Sequence, residues 1–500
     1  MSRKVLIPSS RVLFACERVD ITPPAGIFQR LWGAAKHYQS TGYSRPLYAD
    51  IVAFNSLGNG VEPLLLVELD MCTMTPDDYI HLVDTLKVDS SLTKNIIITF
   101  THTHSFGWLV EPEDYYRYPG TEMIKPYIQS LSTKLANTSK KVLSNMKEAT
   151  ITYSIGKCNL AGNRDFWDDG AKKYVCGYNP DVQADDTVIV ARVVDKQGKM
   201  LATIVNYACH PTTLAWQNTL SSPDFVGSMR DVVEQKTDAP CIFLQGASGD
   251  LAPREQYVGD IEIAEKNGRQ LGYSVLSTLE SMGPPEKDYQ YTGYIESGAP
   301  LGVWSYVPFT PERMQQTSIF LGRRCEVNLT IKEELPTIER LKDKMNELLI
   351  IQNDALQKGD EKKAREAAAF AERCRRYISR LRKLSNSTVY PLTFYVYRMG
   401  DSFWVFIEGE IYSVLQQELR KRFPEFVIMV VTLCGSWLVG YIAPSGLYGK
   451  NIYQEQVSLL SAGSLEKLIN AIVYQISNLS YSSYISKFFG GLDETEGNRT

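Results

Sequence analysis

The stretch Asn95-Ile-Ile-Ile-Thr-Phe-Thr-His102-Thr-His104-Ser105 decides how the rest of the chain is read. The apolar, β-branched run over 95–101 predicts a buried strand, and it delivers two histidines two residues apart. Residues i and i+2 of a strand share a face. His102 and His104 are therefore expected to stand together at the strand's carboxyl end, where open α/β sheets place their ligands. They are two of only five histidines in 500 residues. Two imidazoles alone also fit an ordinary hydrogen-bonded pair, because a catalytic zinc site needs at least three protein ligands. The other donors have to come from elsewhere in the chain.

Working outward, 49–55 and 63–70 are short apolar runs suited to strands covered on both faces, and 77–88 reads as a helix. With the strand over 95–101 this gives a β–α–β order and a mixed α/β fold: a sheet core with flanking helices. An amphipathic helix follows over 121–146, then a strand over 149–154. Residues 161–167 read as a loop. Residues 187–194 and 200–208 form a hairpin about Lys196-Gln-Gly198, whose second strand leads to His210-Pro211. The buried strand 240–245 opens into Gly246-Ala-Ser-Gly-Asp250-Leu-Ala-Pro-Arg254, and 261–279 is a helix.

Residues 335–385 differ in character. Ile338, Leu341, Met345, Leu348 and Leu349 fall on one helical stripe, and Gly359-Asp360 supplies a stop and a start signal before a charged, alanine-rich helix. This is a helical hairpin inserted between strands: a dimerisation arm through which the chain forms a homo-oligomer, a lid, or a plain excursion whose charge run is its solvated face. The core then resumes with paired strands over 391–397 and 403–407, Gly409-Glu410, a helix over 412–422 and a strand over 425–433. That strand leads through Gly435-Ser-Trp-Leu-Val-Gly to Tyr441. The last helix covers 464–477, and 490–500 is a polar, frayed tail. One domain over 11–485, with 335–385 inserted in it, accounts for the pattern.

Composition narrows the function. Hydrophobic residues at 44% and charged residues at 22% describe an ordinary globular protein. With 57 acidic against 53 basic residues there is no positive surplus to release counterions, which excludes a dedicated nucleic-acid binder. No apolar run approaches the roughly 20 residues of a transmembrane helix, and no sustained apolar segment follows the N-terminus. A cytoplasmic location is expected. The nine cysteines are scattered, odd in number and form no CxxC pair, so they read as reduced, buried small side chains.

His102, His104, His210, Asp250, Glu410 and Tyr441 all fall at or just past the carboxyl end of an apolar strand. Six such groups at one sheet edge would make a site, and imidazole with carboxylate suits zinc. Each also has an ordinary reading. His210 fits a strand-end histidine, Glu410 a charge at a helix N-terminus, and Asp250 a turn cap. Arg164 fits a salt bridge, and Tyr441 and Tyr453 fit packing. Glu408 competes with Glu410, two residues away on the same face of an extended chain. Asp70 and Asp224 are candidate carboxylates behind the ligands. His37 and His81 fit no motif, and His81 lies on an exposed helix face.

Val19-Asp-Ile-Thr-Pro, Arg45-Pro-Leu-Tyr-Ala49, Thr101-His-Thr-His-Ser105, Asn163-Arg164, Asn206-Tyr-Ala-Cys-His210-Pro, Gly249-Asp250-Leu-Ala-Pro253, Gly409-Glu410 and Gly440-Tyr441 occur in this order. In that order the chain resembles the neutral, non-lysosomal ceramidases, zinc-dependent amidases, over most of its length. The resemblance implies that His102, His210, Glu410 and Tyr441 are zinc ligands. It implies that His104 handles protons beside the metal water, that Arg164 lies near the reacting carbonyl, and that Tyr453 donates to the developing oxyanion. The activity implied is hydrolysis of an amide in a small or lipid-like N-acyl substrate by metal-activated water.

The chain departs from that family in three ways. Ala252 replaces the serine of the Gly-Asp-x-Ser-Pro motif, which excludes a serine nucleophile there and points away from ceramide. Ceramidases usually carry a C-terminal β-sandwich and are secreted or membrane-associated, and neither feature is expected here. The hairpin at 335–385 is the third departure. An esterase or lactonase on the same site, or a non-catalytic relative that keeps zinc and binds a ligand, are the competing readings.

Overall fold

A computed structural model describes residues 3–58, 62–86, 95–108, 118–384, 387–435 and 437–489, with side chains described to residue 480. The expected tail at 490–500 lies outside the described residues. The fold is four layers, helices on sheet on sheet on helices, and the class expected from the sequence holds. Among the described residues, eight strands make the large sheet. Their order is Cys241–Gln245, Met200–Tyr207, Thr187–Asp195, Lys147–Lys157, Ser9–Asp20, Tyr48–Asn55, Leu64–Leu69 and Ile96–Phe100. The two outermost pairs are parallel and the pairs between them antiparallel. The smaller sheet runs Phe320–Thr330, Val389–Met399, Ser402–Ile407 and Val427–Val431.

Strand alternation sorts the side chains into layers. Phe54, Leu66, Ile97, Ile204 and Leu244 meet Trp404, Phe406 and Met429 between the two sheets. Their neighbours Ile51, Val67, Ile98 and Phe100 pack under helices Pro76–Leu86 and Ile124–Ser144. Val205, Tyr207 and Phe243 pack under Phe225–Thr237 and Ile261–Glu280. The far face of the small sheet is covered by Val414–Arg422 and Ser464–Phe489.

One expectation about the large sheet needs correction. The strand that precedes His102 is one edge of the sheet, whereas the strand that precedes His210 lies next to the other edge and runs the opposite way, so their ends do not share one edge. Twist accumulated over eight strands swings the two edges toward each other, and a strap from the small sheet ties them. Thr432 N donates to Gln245 O (3.0 Å) and Gly435 N to Ile98 O (3.2 Å). Glu410 and Tyr441 reach the same place on a separate two-stranded parallel pair, Glu410–Ile411 with Tyr441–Ile442.

Residues 161–167, read as a loop, are a strand, Ala161–Asp168, paired with Lys173–Asn179 and Leu251–Pro253. Its polar sequence hides it, because the backbone is held at a register break. The break falls between Asn163 and Asp165, at Arg164. A bulge of this kind re-aims the side chain it carries.

The helical hairpin is present as Ile338–Gln357 and Glu361–Lys383, between two strands of the small sheet. Thr337 and Asp360 cap its helices by accepting from Arg340 N and Lys363 N. The charge run is not wholly solvated: Arg375 and Arg380 of the second helix are buried. All nine cysteines are free, five of them buried and four half-buried. No helix among the described residues is long and apolar enough to cross a membrane. Removal of Phe406, fully buried between the sheets, should open a cavity there. Phe406→Ala is expected to cost about 3–5 kcal/mol in urea denaturation.

Candidate metal centre

His102 follows the edge strand Ile96–Phe100 by two residues, but it has left the strand. Its φ is +71°, a conformation rare for a side-chain-bearing residue. The pair therefore arises from a turn rather than from strand alternation. The rings still meet edge to face, with centroids 4.8 Å apart. The turn aims His102 inward, and its Nδ1 lies 2.8 Å from the carbonyl of Cys72. His210 is set the same way, with Nδ1 2.7 Å from the carbonyl of Ser248. Each carbonyl fixes the proton on Nδ1 and leaves the Nε2 lone pair pointing away from it, the arrangement of a metal-binding histidine.

Both Nε2 atoms face Glu410 Oε2, at 2.7 Å from His210 and 3.4 Å from His102. The three donor atoms lie within 4.8 Å of one another, and all three residues are buried. Glu410 is only 3% exposed. Burial pushes its carboxyl up, but His102 and His210 outweigh burial and hold it well below the carboxylate range. Burial and the nearby Arg164 cation push His210 down to about 4, so its imidazole is neutral. Burial pushes His102 down, but Cys72 and Glu410 outweigh it and push His102 up. Two imidazole nitrogens and a buried carboxylate oxygen that converge in this way are the donor set of a divalent cation with nitrogen and oxygen preference.

The choice between Glu408 and Glu410 is made by Gly409. Its φ is +89°, so the chain is not extended there and the two carboxylates do not share a face. Glu408 turns to Tyr390, whose hydroxyl donates to it at 2.7 Å. A Cβ at Gly409 would stand 2.9 Å from the carbonyl of Gly440, which accepts from Glu410 N at 2.9 Å. Glu410 and Tyr441 are directly opposite in a short parallel pair. Tyr441 stacks beside His210 at 6.4 Å, and Arg164 Nη2 donates to its hydroxyl at 3.0 Å. The four residues read as ligands are thus brought together.

The Gly249-Asp250 motif holds this arrangement from behind. Gly249 O accepts from Arg164 Nη2 at 2.8 Å, and Gly249 N donates to Ile411 O at 2.7 Å. Asp250 accepts from the backbone N and the hydroxyl of Ser413, 163 residues away, so its carboxylate ties two distant segments rather than capping the turn that follows it. Ala252 is buried in the strand opposite Gly162. Ser248 touches the back of His210, its hydroxyl 3.1 Å from Nδ1.

Of the three groups expected to act on substrate, His104 lies beside His102. Its Nε2 lies 3.4 Å from that of His102, and burial with His102 nearby pushes its pKa well down. Arg164 is buried at its bulge. Tyr453 opens the helix Tyr453–Val457, is 42% exposed and has its ring 5.7 Å from that of Tyr441. Asp70 is taken by Arg230 and Tyr48 N, and Asp224 accepts from Phe225 N and Leu214 N. Neither stands behind a ligand. His81 is exposed on its helix.

Three features escaped the sequence. Trp437 Nε1 donates to Glu410 Oε1. Trp32 lies 5.2 Å from His104 and makes an aromatic wall with Trp216 and Tyr257. Cys72 Sγ lies 3.7 Å from His102 Nδ1, so Cys72, His102 and His104 form a second group of potential donors. Trp437 stood in the Gly-rich segment before Tyr441. The wall comes from three distant loops with no shared spacing.

The fold is ceramidase-like. It is similar to a solved structure described as a neutral ceramidase from Pseudomonas aeruginosa, with a TM-score of 0.60 and 14% identity over 95% of this chain and 75% of that one. It is also similar to one described as a ceramidase complexed with C2, with a TM-score of 0.60 and 13% identity over 93% of this chain and 74% of that one. No protein-family model and no curated protein sequence matches the chain.

Two outcomes follow from the geometry. Gly409→Ala should lower stability by about 1–3 kcal/mol in urea denaturation, because it forces a side chain into a left-handed position. Burial pushes Asp224 up to about 6, against about 3.9 when unfolded. Its folded value is the higher one, so its contribution is complete below about pH 4 and is lost as pH rises through 6. The stability of the wild type relative to Asp224→Asn should therefore fall between pH 4 and 7; a pH-independent difference would contradict this.

Proposed function

We propose that this chain is a zinc-dependent hydrolase that cleaves the amide bond of an N-acyl substrate, ceramidase-like in its site but acting on a compound other than ceramide. The observation that carries this reading is the convergence of His102 Nε2, His210 Nε2 and Glu410 Oε2, each histidine pinned through its far nitrogen. Tyr441, opposite Glu410, completes the donor set. Bound there, zinc would polarise the substrate carbonyl and bring the pKa of a water to about 7.

The chain's own groups divide the remaining work. His104, kept neutral by burial and by His102, accepts a proton at Nε2 and passes it to the departing amine. Arg164 and the Tyr453 hydroxyl donate to the carbonyl oxygen as charge builds on it. The half-exposed Tyr453 and the Trp32, Trp216 and Tyr257 wall flank the approach and hold the acyl portion by apolar contact. Ala252 supplies no nucleophile, and its burial in a strand keeps it out of the reaction.

Purified protein should contain one zinc per chain and hydrolyse N-acyl substrates faster than the matched esters. His102→Ala and Glu410→Gln should lose both zinc and turnover. Tyr453→Phe should keep zinc and lose about 10²–10³-fold in kcat. Faster cleavage of the esters would replace the amidase reading with an esterase, and stoichiometric zinc without turnover on either would leave a ligand-binding relative.

A further inference from the structure

The helix Glu361–Lys383 is the element that the proposed chemistry leaves unused, and it lies against both walls of the site. On one side Gly33 packs so closely that a Cβ there would come within 2.9 Å of Ala369 Cβ, and Arg376 Nη2 donates to Leu31 O at 2.9 Å. Between these two contacts lies Trp32, the neighbour of His104. On the other side Arg380 enters the protein and is 5% exposed.

Arg380 is held by main chain. Its Nε donates to Leu438 O at 2.6 Å and its Nη1 to Val457 O at 2.9 Å. Its guanidinium lies 4.7 Å over the ring of Trp437. Its Nη2 fills the space beside Gly440, 3.0 Å from where a Cβ would stand, and is buried without a hydrogen-bond partner among the described residues. Burying a cation and leaving one of its donors unpaired is costly, so these contacts are not incidental packing. They brace residues 437, 438 and 440 of one short segment. That segment presents the Trp437 donor to Glu410, accepts from Glu410 N through Gly440, and then becomes Tyr441.

We infer that Arg380 is a positioning residue for the metal centre, through which the inserted hairpin fixes Trp437, and with it Glu410 and Tyr441. The inference rests on the proposed reading of His102, His210, Glu410 and Tyr441 as metal ligands. The chemistry asks for arginine specifically. A planar fork can reach two carbonyls while stacking on an indole, and a lysine ammonium cannot do all three. Groups that orient a ligand typically alter metal affinity by about 10–100-fold when removed.

The test is zinc affinity of the full chain, by competition with a chromogenic chelator well below the unfolding temperature. Wild type, Arg380→Lys, Arg380→Met, Trp437→Phe and Lys383→Met are compared, with the thermal midpoint of each metal-free protein. Lys383 lies on the same helix and pairs with Asp77 at the surface, so it reports hairpin attachment without touching the centre. Arg380→Lys, Arg380→Met and Trp437→Phe should each weaken zinc by about tenfold or more, and Lys383→Met should not. Should Arg380→Met fail to fold, Arg380→Lys and Trp437→Phe decide. Wild-type affinity in the Arg380 variants would overturn this inference alone. A wild type that takes up no zinc would overturn the metal-centre reading and this inference with it.

Discussion

The centre of this protein depends on one carboxylate withdrawn from water between two imidazoles. Glu410 is buried, and its Oε2 faces Nε2 of both His102 and His210. A buried charge survives only when it is paired or ligates a cation, so the surroundings must hold three side chains to sub-ångström tolerance. Backbone groups do that holding. The carbonyls of Cys72 and Ser248 set the two rings, and the carbonyl of Gly440 sets the Glu410 backbone. Trp437 Nε1 also donates to the carboxylate. Backbone acceptors are harder to lose by substitution than side-chain ones, and they are tied to the sheets.

The sheets themselves bring the ligands together by twist rather than by a shared edge. His102 follows one edge strand of the eight-stranded sheet, and His210 follows the strand beside the opposite edge. The strap at 432–435 bonds to Gln245, to Ile98 and, through Leu433 N, to Gly409 O. One short segment thus joins both edges to the turn that carries Glu410. A ceramidase-like fold at 14% identity is intelligible in these terms.

How much of this was readable beforehand follows from where the information lies. Apolar strands such as Leu64–Leu69 and Ile96–Phe100 announce themselves, because burial on both faces demands unbroken hydrophobicity. The hairpin helices announce themselves through Thr337, Gly359 and Asp360. The polar strand Ala161–Asp168 did not, since its residues are chosen for a bulge that turns Arg164 inward. His102 and His104 were paired correctly for an incorrect reason. Glu408 and Glu410 could not be separated without the φ of Gly409, and the burial of Arg380 in a charged helix depends on partners 58 and 77 residues away.

The most direct test of the central claim is X-ray absorption at the zinc edge on protein loaded with one equivalent of zinc. The account predicts a first shell of nitrogen and oxygen only, at about 2.0–2.2 Å, with outer-shell imidazole scattering from two histidines. A sulfur scatterer at about 2.3 Å would place the ion with Cys72, His102 and His104 instead, and would contradict the assignment of His210, Glu410 and Tyr441.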